Sequence, residues 1–264
     1  MMLEKKWAVI TGASSGIGKE FARELAKNGF SLFLVARRKD RLEELKEELI
    51  NEIAYEDFQC IVMEKDLRNL EEIREVYTET KDYNVDILIN SSGFGDLGEF
   101  VETDMSKEMD MIDVNIRALH ILTKMFLIDF VKRDSGYILN VASSAGLMPG
   151  GPYMATYYAT KSYVVSLTSG IAGELRKRKS SVYIGSLCPG PVKTEFNDVA
   201  NCNFSIGGIS PRFCAKYAII KMFSRKEVII PSVKMKIASK LGKVAPRKLV
   251  VDICGKQQTK KVGK

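Results

Sequence analysis

One stretch, Trp7-Ala-Val-Ile-Thr11 followed by Gly12-Ala-Ser-Ser-Gly16-Ile-Gly18, restricts the possible folds of this chain more than any other. An apolar strand that ends in a glycine-rich turn and opens a helix brings backbone close to a ligand, because glycine has no Cβ to hold it off. The helix N-terminus then offers free N–H groups and a partial positive charge, the chemistry that holds a pyrophosphate. Three glycines in seven residues also occur in ordinary turns. Their place between a first strand and a first helix carries the reading, and it makes Gly12, Ser14, Ser15, Gly16, Ile17 and Gly18 the expected phosphate cradle.

The rest of the chain repeats that unit. Apolar runs at 7–11, 31–36, 58–63, 85–90, 137–143, 182–189 and 228–230 alternate with helical patterns at 16–28, 39–53, 70–80, about 105–132, 153–178 and 212–223. The runs are continuously apolar, as in strands buried on both faces. The fold class is therefore α/β, a doubly wound Rossmann-type parallel sheet. Gly29 is placed to end the first helix, and Ser210-Pro211 to open the one at 212–223. Residues 1–231 read as a single domain. The loop at about 192–210, which contains Ser205-Ile206-Gly207-Gly208, is the expected substrate lid, because it follows a strand's carboxyl end.

No apolar run is long enough to cross a bilayer, and the residues before Trp7 show no signal-peptide core, so the expected compartment is the cytoplasm. Five scattered cysteines (Cys60, Cys188, Cys202, Cys214, Cys254) with no CxxC pair read as reduced thiols and not as a metal or disulfide framework. His120 is the sole histidine, which excludes Ser-His-Asp and Cys-His chemistry and any multi-histidine metal site; it reads as a helix-face residue. The net charge of +7 is a property of the tail: residues 231–264 carry nine lysines, one arginine and one aspartate, so the body is slightly acidic and shows no nucleic-acid footprint.

Two residue sets carry chemistry. The second strand ends at Ala36 and is followed by Arg37-Arg38, where a dinucleotide's adenosine ribose would lie. A guanidinium there attracts a 2′-phosphate that a carboxylate would repel, so NADP(H) is the expected cofactor. Arg37 is the main reader, since Arg38 with Arg41 also fits a solvated helix start. Tyr157-Tyr-Ala-Thr-Lys161 puts Tyr157 and Lys161 on one helix face, with Tyr158 turned away as packing. A free tyrosine titrates near pH 10, and bringing it to about 7 takes roughly 4 kcal/mol, within reach of two close positive charges.

Further motifs stand in order along the chain: Val114-Asn115 inside a helical pattern, Asn140-Val-Ala-Ser143-Ser144, and Cys188-Pro189-Gly190-Pro191-Val192-Lys193-Thr194. With the TGxxxGxG turn and the YxxxK pair, they resemble the short-chain dehydrogenase/reductase family over about residues 5–231. TGxxGxxG, the mark of its extended branch, is absent. The resemblance implies sheet order 3-2-1-4-5-6-7 and a catalytic set of Asn115, Ser143, Tyr157 and Lys161. In that set Ser143, third after Asn140 at the strand end, polarises the carbonyl. Tyr157 is the acid/base, Lys161 holds the nicotinamide ribose, and Asn115 holds a water that links the lysine to solvent. It implies that Asp66 and Leu67 meet the adenine, that Asn90 and Gly93 border the cofactor, and that Pro189, Gly190, Val192 and Thr194 hold the nicotinamide. Ser91 and Ser92 depart from the family's Asn-Asn-Ala-Gly turn. Also implied are a small carbonyl or alcohol substrate and a homodimer or homotetramer built on the two long helices. The alternatives are a 3-oxoacyl thioester reductase, a non-catalytic NADP-binding protein, or a membrane-surface protein acting through its tail.

In that tail, Val233, Ile237, Leu241 and Val244 share one helical face, with Lys236, Lys240 and Lys243 opposite. The stretch resembles the C-terminal part of bacterial reductases associated with lipoteichoic-acid D-alanylation. The expectation is a helix at 233–245 docked on the body by Val233, Ile237 and Leu241, in preference to one lying on a membrane. Residues 255–264, polar and lysine-rich, are expected to be poorly ordered.

Overall fold

A computed structural model of the chain describes residues 5–55, 57–196, 200 and 208–262. Most of the lid, Cys202 and Ser205-Ile206-Gly207 lie outside the described residues. Seven parallel strands form one sheet in the order β3-β2-β1-β4-β5-β6-β7. They are β1 (Trp7–Thr11), β2 (Ser31–Ala36), β3 (Cys60–Glu64), β4 (Val85–Asn90), β5 (Tyr137–Val141), β6 (Tyr183–Leu187) and β7 (Val228–Ile229). In β1, Ala8 and Ile10 turn to one core and Trp7 and Val9 to the other. That explains why the runs are apolar without alternation.

The first core receives α1 (Gly16–Lys27) through Phe21 and Leu25, α2 (Lys39–Glu52) through Leu42, Leu45 and Leu49, and α7 (Pro211–Phe223) through Ala218 and Met222. The second receives α3 (Leu70–Thr78), α5 (Leu119–Lys132) through Leu122, Phe126 and Phe130, and α6 (Ala155–Lys177) through Ala172 and Leu175. Gly29 follows α1 at φ +85°. Ser210 caps α7 by accepting from Phe213 N (3.1 Å), with Pro211 at the first helical position, as the sequence indicated.

Three expectations are corrected. The run at 105–132 is not one α-helix: α4 (Met105–Ile112) passes into a π turn (Asp113–Ala118) before α5. The strand pattern at 137–143 stops at Val141, because Ser143 caps a short 3-10 turn (Ser144–Leu147). The third correction is the tail. A helix does form, α8 (Val233–Val244), but Val233, Ile237 and Leu241 are exposed and dock nothing. The body is reached instead by the other side of α8, where Ser239 is buried, and by α9 (Arg247–Val262), which continues through residues 255–262. Its Val250, Cys254 and Gln258, four apart, are buried, and Gln258 Nε2 donates to Tyr158 Oη (2.9 Å). Among the described residues, no helix is long and apolar enough to cross a membrane.

Candidate active site

All seven strands end at one edge of the sheet, and β1 and β4, adjacent in space, lead their chains away in opposite directions there. This is the switch point at which open α/β sheets bind ligands. Gly12 sits at φ +69°, and a Cβ on it would stand 2.9 Å from Ser92 N. Thr11 Oγ1 accepts from both Ser91 N (3.0 Å) and Ser92 N (3.1 Å). The two turns are thereby tied together, and only a residue without a side chain fits between them. Thr11 was not singled out in the sequence. Its signal is a hydroxyl ending an otherwise apolar strand.

From this point a cleft of about 930 Å³ runs along the sheet edge to α8 and α9. Every site residue named from the sequence lines it except Asn90 and Asn115. Asn90 does not line the cleft, and its side chain is bonded to the framework. Its Nδ2 donates to Asn140 Oδ1 (2.9 Å) and Thr123 Oγ1 (3.0 Å), and Asn140 Nδ2 donates to Thr168 Oγ1 (3.0 Å), all beneath the cleft floor.

Lys161 reaches the cleft from α6, with Nζ donating to Val141 O (3.0 Å) and lying 5.9 Å from the Tyr157 ring centre. Burial pushes its ammonium down to about 8, against a smaller opposing effect of Cys188. Asn115, in the π turn, is fully buried. Its Oδ1 accepts from Phe94 N (3.1 Å), and its Nδ2 donates to Phe94 O (2.9 Å) and Thr160 Oγ1 (3.1 Å). Gly93 lies between the two: a Cβ there would meet Asn115 Oδ1 at 2.8 Å and Lys161 Nζ at 3.1 Å. Ser143 Oγ accepts from Ala145 N (3.1 Å), and Ser144 N donates to Pro189 O (2.8 Å), which joins the serine turn to the Pro189-Gly190 segment. Thr194 leans over the cradle, with its methyl 3.1 Å from where a Gly16 Cβ would stand. Phe196 closes on Tyr157 at 5.4 Å between ring centres.

At the ribose end, Arg38 is less free than its sequence reading. Its Nε and Nη2 donate to Ser14 Oγ in the cradle (3.3 and 3.1 Å), and its Nη1 to Glu195 Oε2 (2.9 Å). Arg41 Nη1 donates to Glu195 Oε1 (2.5 Å), and the two guanidinium groups hold the Glu195 carboxyl below the usual carboxylate range. Arg37 is exposed at the cleft rim. Asp66 is bonded by the Arg68 side chain and backbone, which lower its pKa. No local sequence signal marks Glu195, because its partners are more than 150 residues away. His120 does sit on a helix face, against Tyr163 Oη at 2.7 Å.

A glycine cradle at a helix N-terminus, guanidinium groups at the ribose end and a Tyr–Lys pair at the far end fit a nicotinamide dinucleotide. The short chain dehydrogenase family model matches residues 6–203. An oxidoreductase of Salmonella typhimurium, UcpA, is 32% identical over 73% of this chain and 71% of its own. A very-long-chain 3-oxoacyl-CoA reductase of Anas platyrhynchos is 30% identical over 75% of this chain and 63% of its own. Among solved structures, a short-chain dehydrogenase from Sphingobium yanoikuyae in complex with NADPH superposes with a TM-score of 0.80 at 27% identity, covering 92% of this chain and 97% of that one. One from Burkholderia phymatum in complex with NAD gives 0.81 at 23% identity over 91% and 94%, a likeness of fold.

Proposed function

The chain belongs to the short-chain dehydrogenase family, and we propose that it is an NADP(H)-dependent carbonyl reductase and alcohol dehydrogenase acting on a small-molecule substrate. When bound, the nicotinamide supplies or accepts the hydride. Tyr157 is the acid/base, giving its hydroxyl proton to the carbonyl oxygen in reduction and taking it back in oxidation. Ser143 donates to the same oxygen; its Oγ already accepts from Ala145 N, so its own proton is available for the cleft. Lys161, one turn from Tyr157, adds positive potential that favours the phenolate. Asn115 is a positioning residue: all its bonds go to Phe94 and Thr160, so it braces the Gly93 turn against Lys161. Both amide protons of Asn115 are engaged, so the relay water implied by the family resemblance would be held through a carbonyl oxygen of this residue.

The observation that carries this reading is the convergence of Ser143, Tyr157 and Lys161 on one wall of a cleft whose other end is the glycine cradle. Tyr157→Phe is the test. It should lower kcat at least about 100-fold, the usual worth of a positioned acid, and leave NADPH binding by fluorescence titration intact. Retention of more than a few per cent of kcat sinks the assignment.

For the cofactor, Arg37 and Arg38 support NADP(H), with Arg38 already fixed on the cradle. Arg38→Asp should raise KM for NADPH steeply and spare NADH; equal responses would remove Arg38 as a reader of the phosphate. A second reading, reduction of a 3-oxoacyl thioester, is favoured by the apolar wall of Met148, Met154, Phe196, Leu241 and Val250 and by the Anas platyrhynchos relative. NADPH consumption on an acetoacetyl thioester against simple ketones separates the two. A homodimer or homotetramer on the outer faces of α5 and α6 is supported by the exposed Ile128 and Tyr163, and sedimentation velocity tests it.

A further inference from the structure

Helix α8 turns its small side to the protein and its bulky apolar side to solvent. At about 100° per residue, Met235, Ala238, Ser239 and Gly242 fall on one side, which is the side against the body. Ser239 is buried, and Met235, Ala238 and Gly242 line the cleft. The contact is close, since a Cβ on Gly190 would stand 2.7 Å from Met235 Cγ. Val233, Ile237, Leu241 and Val244 form the outer stripe and are 68%, 56%, 60% and 82% exposed.

On the same helical spacing, Lys234 and Lys240 flank this stripe on its two sides, and Lys236 and Lys243 stand farther round, beyond Lys240. Lys236 also donates to Tyr217 Oη (3.0 Å). No acidic residue occurs in α8, and no ion pair among the described residues involves Lys234, Lys240 or Lys243. An apolar stripe flanked by lysine stems matches a bilayer boundary, where the stripe enters the acyl region and the ammonium groups rise to the phosphates. The stripe is also continuous with the cleft. Leu241 and, on α9, Ile253 are both exposed and both line its mouth.

We propose that α8 is an interfacial helix that seats the protein on an anionic lipid bilayer, with the mouth of the cleft facing the lipid. A second copy docking through the same face would bring the two lysine borders together, like charge on like. The remaining self-contact is head to tail, onto the loop that exposes Phe100, Val101 and Met105 among Glu99, Glu102 and Asp104. The experiment separates it from the bilayer.

The full-length protein is sedimented with phosphatidylglycerol vesicles and with phosphatidylcholine vesicles, at low salt and at about 1 M salt, where the screening length falls to about 3 Å. Binding to the anionic vesicles at low salt, at least tenfold weaker on phosphatidylcholine and in high salt, is expected. Ile237→Asp with Val244→Asp should weaken it at least tenfold, and Lys240→Gln with Lys243→Gln severalfold. Circular dichroism should be unchanged in both variants, because all four side chains lie outside the cleft and the core. That control does not depend on the reaction proposed above. Absence of anionic-vesicle binding, or binding that the Ile237→Asp/Val244→Asp pair leaves intact, overturns the proposal. Concentration-dependent self-association abolished by that pair, without vesicle binding, assigns the face to a second copy instead.

Discussion

Lys161 sets an amine in a site where, among the described residues, no carboxylate pairs with it, and its Nζ donates to Val141 O. Its folded pKa of about 8 lies below the unfolded lysine value of about 10.4. Between those values the unfolded chain binds the extra proton, so stability should rise as pH goes from about 8 to about 10. Below 8 the full penalty is present. At pH 7 Lys161→Met should therefore raise Tm by a few degrees, at about 2–4 °C per kcal/mol for a chain of this size, while abolishing turnover. A lower Tm in calorimetry would mean that the Val141 bond outweighs the desolvation. Glu195 makes a second prediction at this scale. Its carboxylate pairs with Arg41 and with Arg38, one of the two arginines proposed above to read a 2′-phosphate. Exposed pairs of this kind contribute about 0.2–1 kcal/mol each, so Glu195→Gln should lower KM for NADPH about two- to fivefold and leave NADH unmoved. An unchanged KM would show that the pair does not compete.

The π turn is the element on which the site depends, since it sets Asn115 against Phe94. A π turn is an α-helix with one residue too many, so deleting exposed Arg117 should restore a continuous helix and keep the buried face of α5 in phase. We expect such a protein to fold, by circular dichroism, with kcat reduced at least tenfold; near-normal kcat would separate the turn from the reaction. Elements differed in how far the sequence revealed them. β1, the cradle and α1 were legible because an apolar run buried on both faces and a glycine turn are local signals. The π turn was not, because it is fixed by Asn115 bonding to a backbone 21 residues away. In α8 the apolar period located the helix but misassigned its inward side, which small residues mark. In α9, Val250, Cys254 and Gln258 are too sparse among lysines to stand out. The proposed catalytic residues were read from motif spacing; the bonding of Asn90 to the framework was not legible, because its partners, Thr123 and Asn140, lie on other elements.

At the scale of the whole molecule, α8 and α9 wall the far end of the cleft, away from the cradle. Truncation after Pro231 should raise KM for the carbonyl substrate at least tenfold while the NADPH Kd stays within about twofold; equal losses would mean that the helix pair supports the entire body. The sheet itself raises a problem of uniqueness. Strands that are apolar on both faces bury nearly as much surface when slid by one residue, so hydrophobicity alone leaves their alignment degenerate. Asn90 and Asn140 face each other across β4 and β5 and meet Thr123 and Thr168 from the helices above. Any slip separates these four buried polar side chains from the partners they have in this register. These four residues act as a key that admits one alignment, and by fixing where β5 ends they decide where Ser143 stands relative to Tyr157.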